Sequence, residues 1–235
     1  MPGYLTKQQS IAVAGVADLQ IRSLLDRQQY SDPLGDAERA GISSAAWPLF
    51  GLVWPSGAHL AARIAERPVT AGERILEIGC GLGLASLVGH RRGADMTASD
   101  CHPLAGAFLT ENLRLNGLPD MDYRVGDWAA TAAPGALQVQ GRYGLIIGSD
   151  VLYDRDASEA LAGFIGRHAH AESEVWIVDP DRGNRTAFSR RMNELGYTLS
   201  DRRIVTAATP DSAAYRGRLL VYHRAGTAVA TPHLS

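Results

Sequence analysis

The chain has 235 residues, 46% of them hydrophobic and 20% charged, enough for one α/β domain with a sizeable core. Its formal charge of −2 and sequence pI near 6.4 give no overall electrostatic reason to expect nucleic acid or an anionic membrane as a partner. Two cysteines, Cys80 and Cys101, argue against a disulfide framework or a zinc site, and Met1 to Gln9 carries no targeting pattern, so a soluble, cytoplasmic, metal-free protein is expected.

In chain order, Ile11-Ala12-Val13 and Leu19-Gln20-Ile21 alternate around Gly15 and predict a small hairpin. A loop with Asp32-Pro33 and Gly35 leads to the aromatic, proline-rich segment Trp47 to Gly57 and then to a helix from about Ala58 to Glu66. From Arg74 onward, strands and helices alternate, the pattern of a doubly wound parallel sheet. The first strand is Arg74 to Ile78. After Gly83 a helix carries Leu84, Leu87 and Val88 on one face and stops at Gly93. Met96 to Ser99 is the second strand; Pro103 suits the first turn of a helix that closes at Asn116-Gly117. Tyr123 to Gly126, Tyr143 to Gly148 and Glu174 to Val178 complete five strands. Asp154, Asp156 and Glu159 suit the start of a helix, and the pair His168 and His170 lies near a helix end, where solvation or capping is the expected role. A helix from Thr186 to Leu195 precedes two strands, Tyr197 to Val205 and Arg218 to His223. The expected domains are an extension over 1–57, a core over 58–224 and a frayed tail over 225–235.

Ile75 to Gly83 joins an apolar run to Glu77 and three glycines at alternate positions, the shape of a strand entering a ligand-cradling turn. The spacing does not fit a dinucleotide fingerprint: its last glycine would fall on Leu84 or Ser86. Asp100, about 20 residues on, stands where a carboxylate accepts both ribose hydroxyls; alternatively it caps the next helix. Asp127-Trp128 follows the third strand, where a carboxylate can take the adenine amino hydrogens and an aromatic face can line the base, although Trp128 would also serve as a core or lid aromatic. Asp150 and Tyr153 follow the fourth strand, at the carboxyl end where such sheets bind ligands. Their alternative is a turn cap beside a half-buried tyrosine.

The turn Glu77-x-Gly79-x-Gly81-x-Gly83 resembles that of class I S-adenosylmethionine-dependent methyltransferases. Asp150-x-x-Tyr153, with Trp54-Pro55-x-Gly57 upstream, resembles the family 16 protein lysine methyltransferases, and the resemblance spans roughly residues 45 to 224. It implies an α/β, Rossmann-like seven-stranded sheet with an antiparallel last strand and a short N-terminal hairpin and helix extension. It also implies S-adenosyl-L-methionine as cofactor, bound by Trp54, Glu77, Gly79, Gly81, Gly83, Asp100, Asp127 and Trp128. Asp150 and Tyr153 would then serve a lysine acceptor on a protein, with a monomer favoured. An aspartate of ordinary pKa about 3.9 is too weak a base for an ammonium of pKa about 10.4, so Asp150 is expected to hold and orient the acceptor. Asp179-Pro180-x-Arg182 is similar to the branch that methylates the electron-transfer flavoprotein β subunit; a solvated loop, with Arg190, Arg191, Arg202 and Arg203 on exposed faces, is the rival reading. Two other functions stay open: a small-molecule N-methyltransferase and a non-catalytic binding factor.

Overall fold

The computed structural model describes residues 4–129, 137–153, 157–208 and 213–226. Asp154 and Asp156, and most of the 225–235 tail, lie outside the described residues.

Strand β3, Arg74–Ile78, is apolar on both sides because both of its faces are covered. Ile75 turns to one layer of the core while Leu76 and Ile78 turn to the other. The same split recurs along β6, Tyr143–Ser149, where Leu145 and Ile147 oppose Ile146. Beside these lie β4, Asp95–Asp100; β5, Asp122–Val125; β7, Ala169–Asp179; β8, Thr198–Thr206; and β9, Tyr215–Arg224. Their order is β5-β4-β3-β6-β7-β9-β8, with β9 antiparallel to both of its neighbours and the other pairings parallel. This is the Rossmann-like seven-stranded sheet expected, with its last strand reversed.

Helices cover both faces. Leu60 and Ile64 of α2, Pro55–Glu66, pack in one layer with α3, Leu84–Arg91, and α4, Ala105–Leu115. The other layer holds α5, Ala157–His168, and α6, Arg185–Glu194. A short helix, α1, spans Asp36–Arg39. Helix α2 starts three residues before the expected position: Pro55 takes the first turn, where its missing N–H costs nothing. The boundary expected at 57/58 therefore cuts a continuous helix. Strand β7 likewise begins five residues early, because Ala169 to Ser173 are mostly exposed and show no apolar alternation to read.

The N-terminal hairpin pairs β1, Thr6–Ile11, with β2, Leu19–Leu24, so its first strand lies earlier than Ile11-Ala12-Val13. It docks on α4 through two asparagines one helical turn apart. Asn112 Oδ1 accepts the Arg22 backbone N–H at 2.8 Å, and Asn116 Oδ1 accepts that of Gln20 at 3.0 Å while its amide donates back to the Gln20 carbonyl. Asn112 is fully buried and also donates to the Leu82 carbonyl at 3.3 Å. Asn112→Ala strands these backbone groups and is expected to destabilise the fold by about 1–3 kcal/mol, read as a lower urea midpoint at unchanged slope. No helix among the described residues is long and apolar enough to cross a membrane.

Candidate active site

The sheet order reverses direction at β3 and β6, and a cavity of about 370 Å³ opens beyond their carboxyl ends, as expected at a topological switch point. The turn after β3 forms one wall. Gly79, Gly81 and Gly83 all take positive φ, at 58°, 52° and 74°, which explains the alternate glycines. A Cβ on Gly81 would sit 2.8 Å from the Phe50 carbonyl oxygen, so the 3-10 turn Leu49–Gly51 presses directly on it.

Two buried carboxylates hold this turn. Asp100 Oδ2 accepts the Gly81 N–H and Oδ1 accepts the His102 N–H, both at 2.8 Å. Glu77 accepts the Ser86 backbone N–H at 2.8 Å and also its hydroxyl, tying β3 to the first turn of α3. Burial, reinforced by the Asp100 charge, pushes Glu77 up to about 7 against its ordinary 4.5. Burial raises Asp100 as well, although backbone N–H groups oppose the shift.

A carboxyl group whose pKa is raised on folding stabilises most below its unfolded value and loses that contribution as pH climbs through its folded value. For Glu77 the loss falls between about pH 4.5 and about 7 and amounts to roughly 3 kcal/mol. The ligand-free protein is expected to melt lower at pH 7.5 than at pH 5 by about the corresponding few degrees. Glu77→Gln should flatten that slope, and a slope unchanged in the variant would remove Glu77 as its source.

Trp54 lines the cavity, its indole N–H bound to the Leu49 carbonyl at 2.9 Å and its face 5.9 Å from Arg27. Trp128 also lines it, next to Gly79. Of the residues expected from sequence, Trp54, Glu77, Gly79, Gly81, Asp100, Trp128, Asp150 and Tyr153 share this one cavity. Gly83 and Asp127 do not line it. Gly83 is the N-cap of α3, backed by Leu109, and Asp127 Oδ1 accepts the Ala129 N–H at 3.0 Å.

Three contributors carried little sequence signal. Phe50 and His102 stack at 3.7 Å between ring centroids, and burial drives His102 down to about 4. Its Nδ1 accepts the Leu104 N–H at 3.2 Å, which leaves the proton on Nε2. Tyr215, from β9, places its hydroxyl 2.9 Å from Ser56 Oγ behind the cavity. A lone histidine in a loop and a tyrosine in a late strand look like core residues until the fold brings them together.

At the far end stand Asp150, mostly buried, and Tyr153, 56% exposed at the mouth. Burial raises Asp150 above the usual carboxylate range, with Ser56 and Arg182 acting in the opposite direction. Arg182 lies 3.0 Å from Asp150 and lines the cavity, while Arg190, Arg202 and Arg203 are exposed, as the solvated reading expects.

The residues fit S-adenosyl-L-methionine. His102 Nε2 and Trp128 Nε1 are buried donors, and Asp127 Oδ2 and Asp150 Oδ2 buried acceptors, without hydrogen-bond partners among the described residues. Such groups call for a ligand with complementary donors and acceptors. Among the described residues no cluster of three His, Cys, Asp or Glu side chains could hold a metal ion.

The chain is similar to known proteins over most of its length. The lysine methyltransferase family profile matches residues 48–194. The mouse electron transfer flavoprotein beta subunit lysine methyltransferase is 27% identical over 196 residues, 81% of this chain and 72% of that protein. Zebrafish protein N-lysine methyltransferase METTL21A is 35% identical over 146 residues, 62% of this chain and 66% of its own. Magnesium protoporphyrin IX methyltransferase from Synechocystis, solved with bound SAM, superposes with a TM-score of 0.53 at 19% identity, covering 72% of this chain and 76% of that one. The chain belongs to the lysine methyltransferase family and shares the fold of a methyltransferase solved with bound SAM.

Proposed function

We propose that this enzyme transfers a methyl group to a lysine side chain of a protein, and that its substrate is the β subunit of an electron transfer flavoprotein. The observation that carries the acceptor reading is the Asp150 carboxylate, its Oδ2 buried without a hydrogen-bond partner within 3.5 Å among the described residues, beside the exposed Tyr153 lining the same cavity. The substrate choice is supported by the relatives that bear that activity in their names. Monomeric action in the cytoplasm, without nucleic acid or membrane, goes with this reading.

When bound, S-adenosylmethionine supplies an electrophilic methyl group on a positively charged sulfur. Gly79 and Gly81 let the backbone approach its amino acid end, with Gly83 setting the exit into α3. Glu77 and Asp100 hold that turn, and Asp100 keeps lone pairs for the ribose hydroxyls. Trp128 would lie against the adenine, and Trp54 would line the same cavity. Asp150 orients the acceptor nitrogen, while Tyr153 bounds its channel. Most of the acceleration comes from proximity and alignment.

The test is incubation with methyl-labelled cofactor and purified flavoprotein β subunit, beside a host lysate, followed by mass spectrometry. Label on a β-subunit lysine supports the reading; label only on a metabolite or on another protein overturns the substrate. Self-labelling interferes little, since Lys7 is the sole lysine of the chain.

A further inference from the structure

Asp150 meets the cavity already paired. Arg182 Nη2 lies 3.0 Å from its Oδ1, and Arg182 Nη1 donates to its backbone carbonyl at 3.4 Å. The two turns that carry these residues are tied together. Asp179 Oδ1 accepts the Arg182 backbone N–H at 2.8 Å, and the Asn184 amide donates to the Leu152 carbonyl at 3.0 Å. Each turn also contains a strained residue. Asp150 at φ 58° and Asp181 at φ 65° are the non-glycine residues with positive φ among those described. That conformation costs on the order of 1 kcal/mol each, and both instances flank this single contact. The surrounding structure therefore holds the pair in place.

The groups that face Asp150 come from several elements: Ser56 of α2, Tyr215 of β9, Asp179 of β7, Arg182 from the turn after β7, and Tyr153 from its own loop. Asp179 is fully buried and lies behind the cavity wall, and the Tyr215 hydroxyl is pushed up to about 12 by burial and so stays neutral. Among the described residues in contact with Asp150, Arg182 alone is cationic. At this end of the cavity the Asp150 carboxylate thus meets the Arg182 guanidinium, which offsets its pull on a second cation.

We propose that Arg182 is a specificity and positioning residue: by countering Asp150 it makes the acceptor place fit a neutral primary amine, and not an ammonium or a guanidinium. The inference rests on the lysine reading above. A lysine entering here gives its proton to water, because desolvation, Arg182 and the cofactor's positive sulfur all disfavour the ammonium. The neutral amine donates an N–H to the Asp150 carboxylate, whose Oδ2 has no partner among the described residues, and directs its lone pair at the methyl carbon. The nitrogen–carbon bond forms as the carbon–sulfur bond breaks, the bonding pair returns to sulfur, and the methylated nitrogen, now positive, releases a proton to water. An arginine side chain, always charged at accessible pH, cannot meet this condition.

The experiment compares the wild type with Arg182→Gln and Arg182→Met, using the flavoprotein β subunit as acceptor and measuring kcat/KM from about pH 6.5 to about pH 10. It also follows the Asp150 carboxyl by carbon-13 NMR in the cofactor-free proteins. In the wild type, log(kcat/KM) should rise and level at an apparent pKa below the roughly 10.4 of free lysine. In both variants that pKa should move up by about one unit, giving about tenfold slower transfer near neutrality and convergence on the alkaline plateau. The Asp150 carboxyl should titrate higher in both variants, since its ion pair is gone. Parallel profiles with a uniform loss at every pH, an unmoved Asp150 titration, or faster transfer near neutrality would overturn the proposal while leaving lysine methylation intact. Wild-type label on a residue other than lysine overturns the acceptor reading, and the proposal with it.

Discussion

Asp150→Asn should lose about 10²- to 10³-fold in kcat/KM while the affinity for S-adenosylmethionine stays within about twofold of the wild type. Asparagine is the informative replacement because it tolerates the left-handed backbone that Asp150 adopts, whereas alanine there adds a backbone penalty of about 1 kcal/mol. The amide keeps the shape and gives up the charge. Arg182 then takes the amide oxygen, an NH2 group replaces Oδ2, and the neutral amine loses the acceptor that orients its N–H. The cofactor end is untouched, since Asp100, Glu77 and the glycine turn lie on other strands. Calorimetry of cofactor binding beside single-turnover methyl transfer separates the two effects. Retained transfer would remove Asp150 from the acceptor role.

The second large effect is expected at the glycine turn. Gly81→Ala meets two penalties together: a positive φ, and a Cβ placed 2.8 Å from the Phe50 carbonyl oxygen. Backbone atoms cannot rotate aside as a side chain can, so the 3-10 turn Leu49–Gly51 must shift, and with it the Phe50 ring stacked on His102. The strain and overlap amount to about 2–4 kcal/mol of stability. Because the displaced groups line the cavity, cofactor affinity should fall at least about 10²-fold. Gly93→Ala is the control: φ is 83° and nothing lies within 4 Å of the added carbon. It should cost about 1 kcal/mol and leave cofactor binding alone. Equal binding losses in both variants would show that the turn acts only through global stability.

These contrasts indicate which parts of the molecule the sequence discloses. Strands β3, β4 and β6 are readable because apolar runs end at glycine or aspartate, and the local chain carries both the strand and its stop. The glycine turn is readable for the same reason: its backbone needs are met within five residues. Other features depend on distant partners. Pro55-Ser56-Gly57 resembles a turn, yet Ser56 faces Tyr215 from 159 positions away, and the helix begins there. The Arg182 side chain gains its meaning only when the turns after β6 and β7 come side by side. Asp127 and Gly83 show the converse limit, since they sit at the expected sequence positions while their side-chain or backbone partners lie outside the cavity.

Strand β9 follows every other described strand along the chain and yet lies inside the sheet, between β7 and β8. The half built from β3, β4 and β5 can assemble from residues already synthesised, whereas β8 has no hydrogen-bonded neighbour until β9 arrives. The Ser56–Tyr215 contact behind Asp150 closes at that same moment. Long-range pairing of this kind is slow, because loop closure must precede any gain from contact. During synthesis the wall built from β3 and β4 can thus form before the side behind Asp150, which waits for β9.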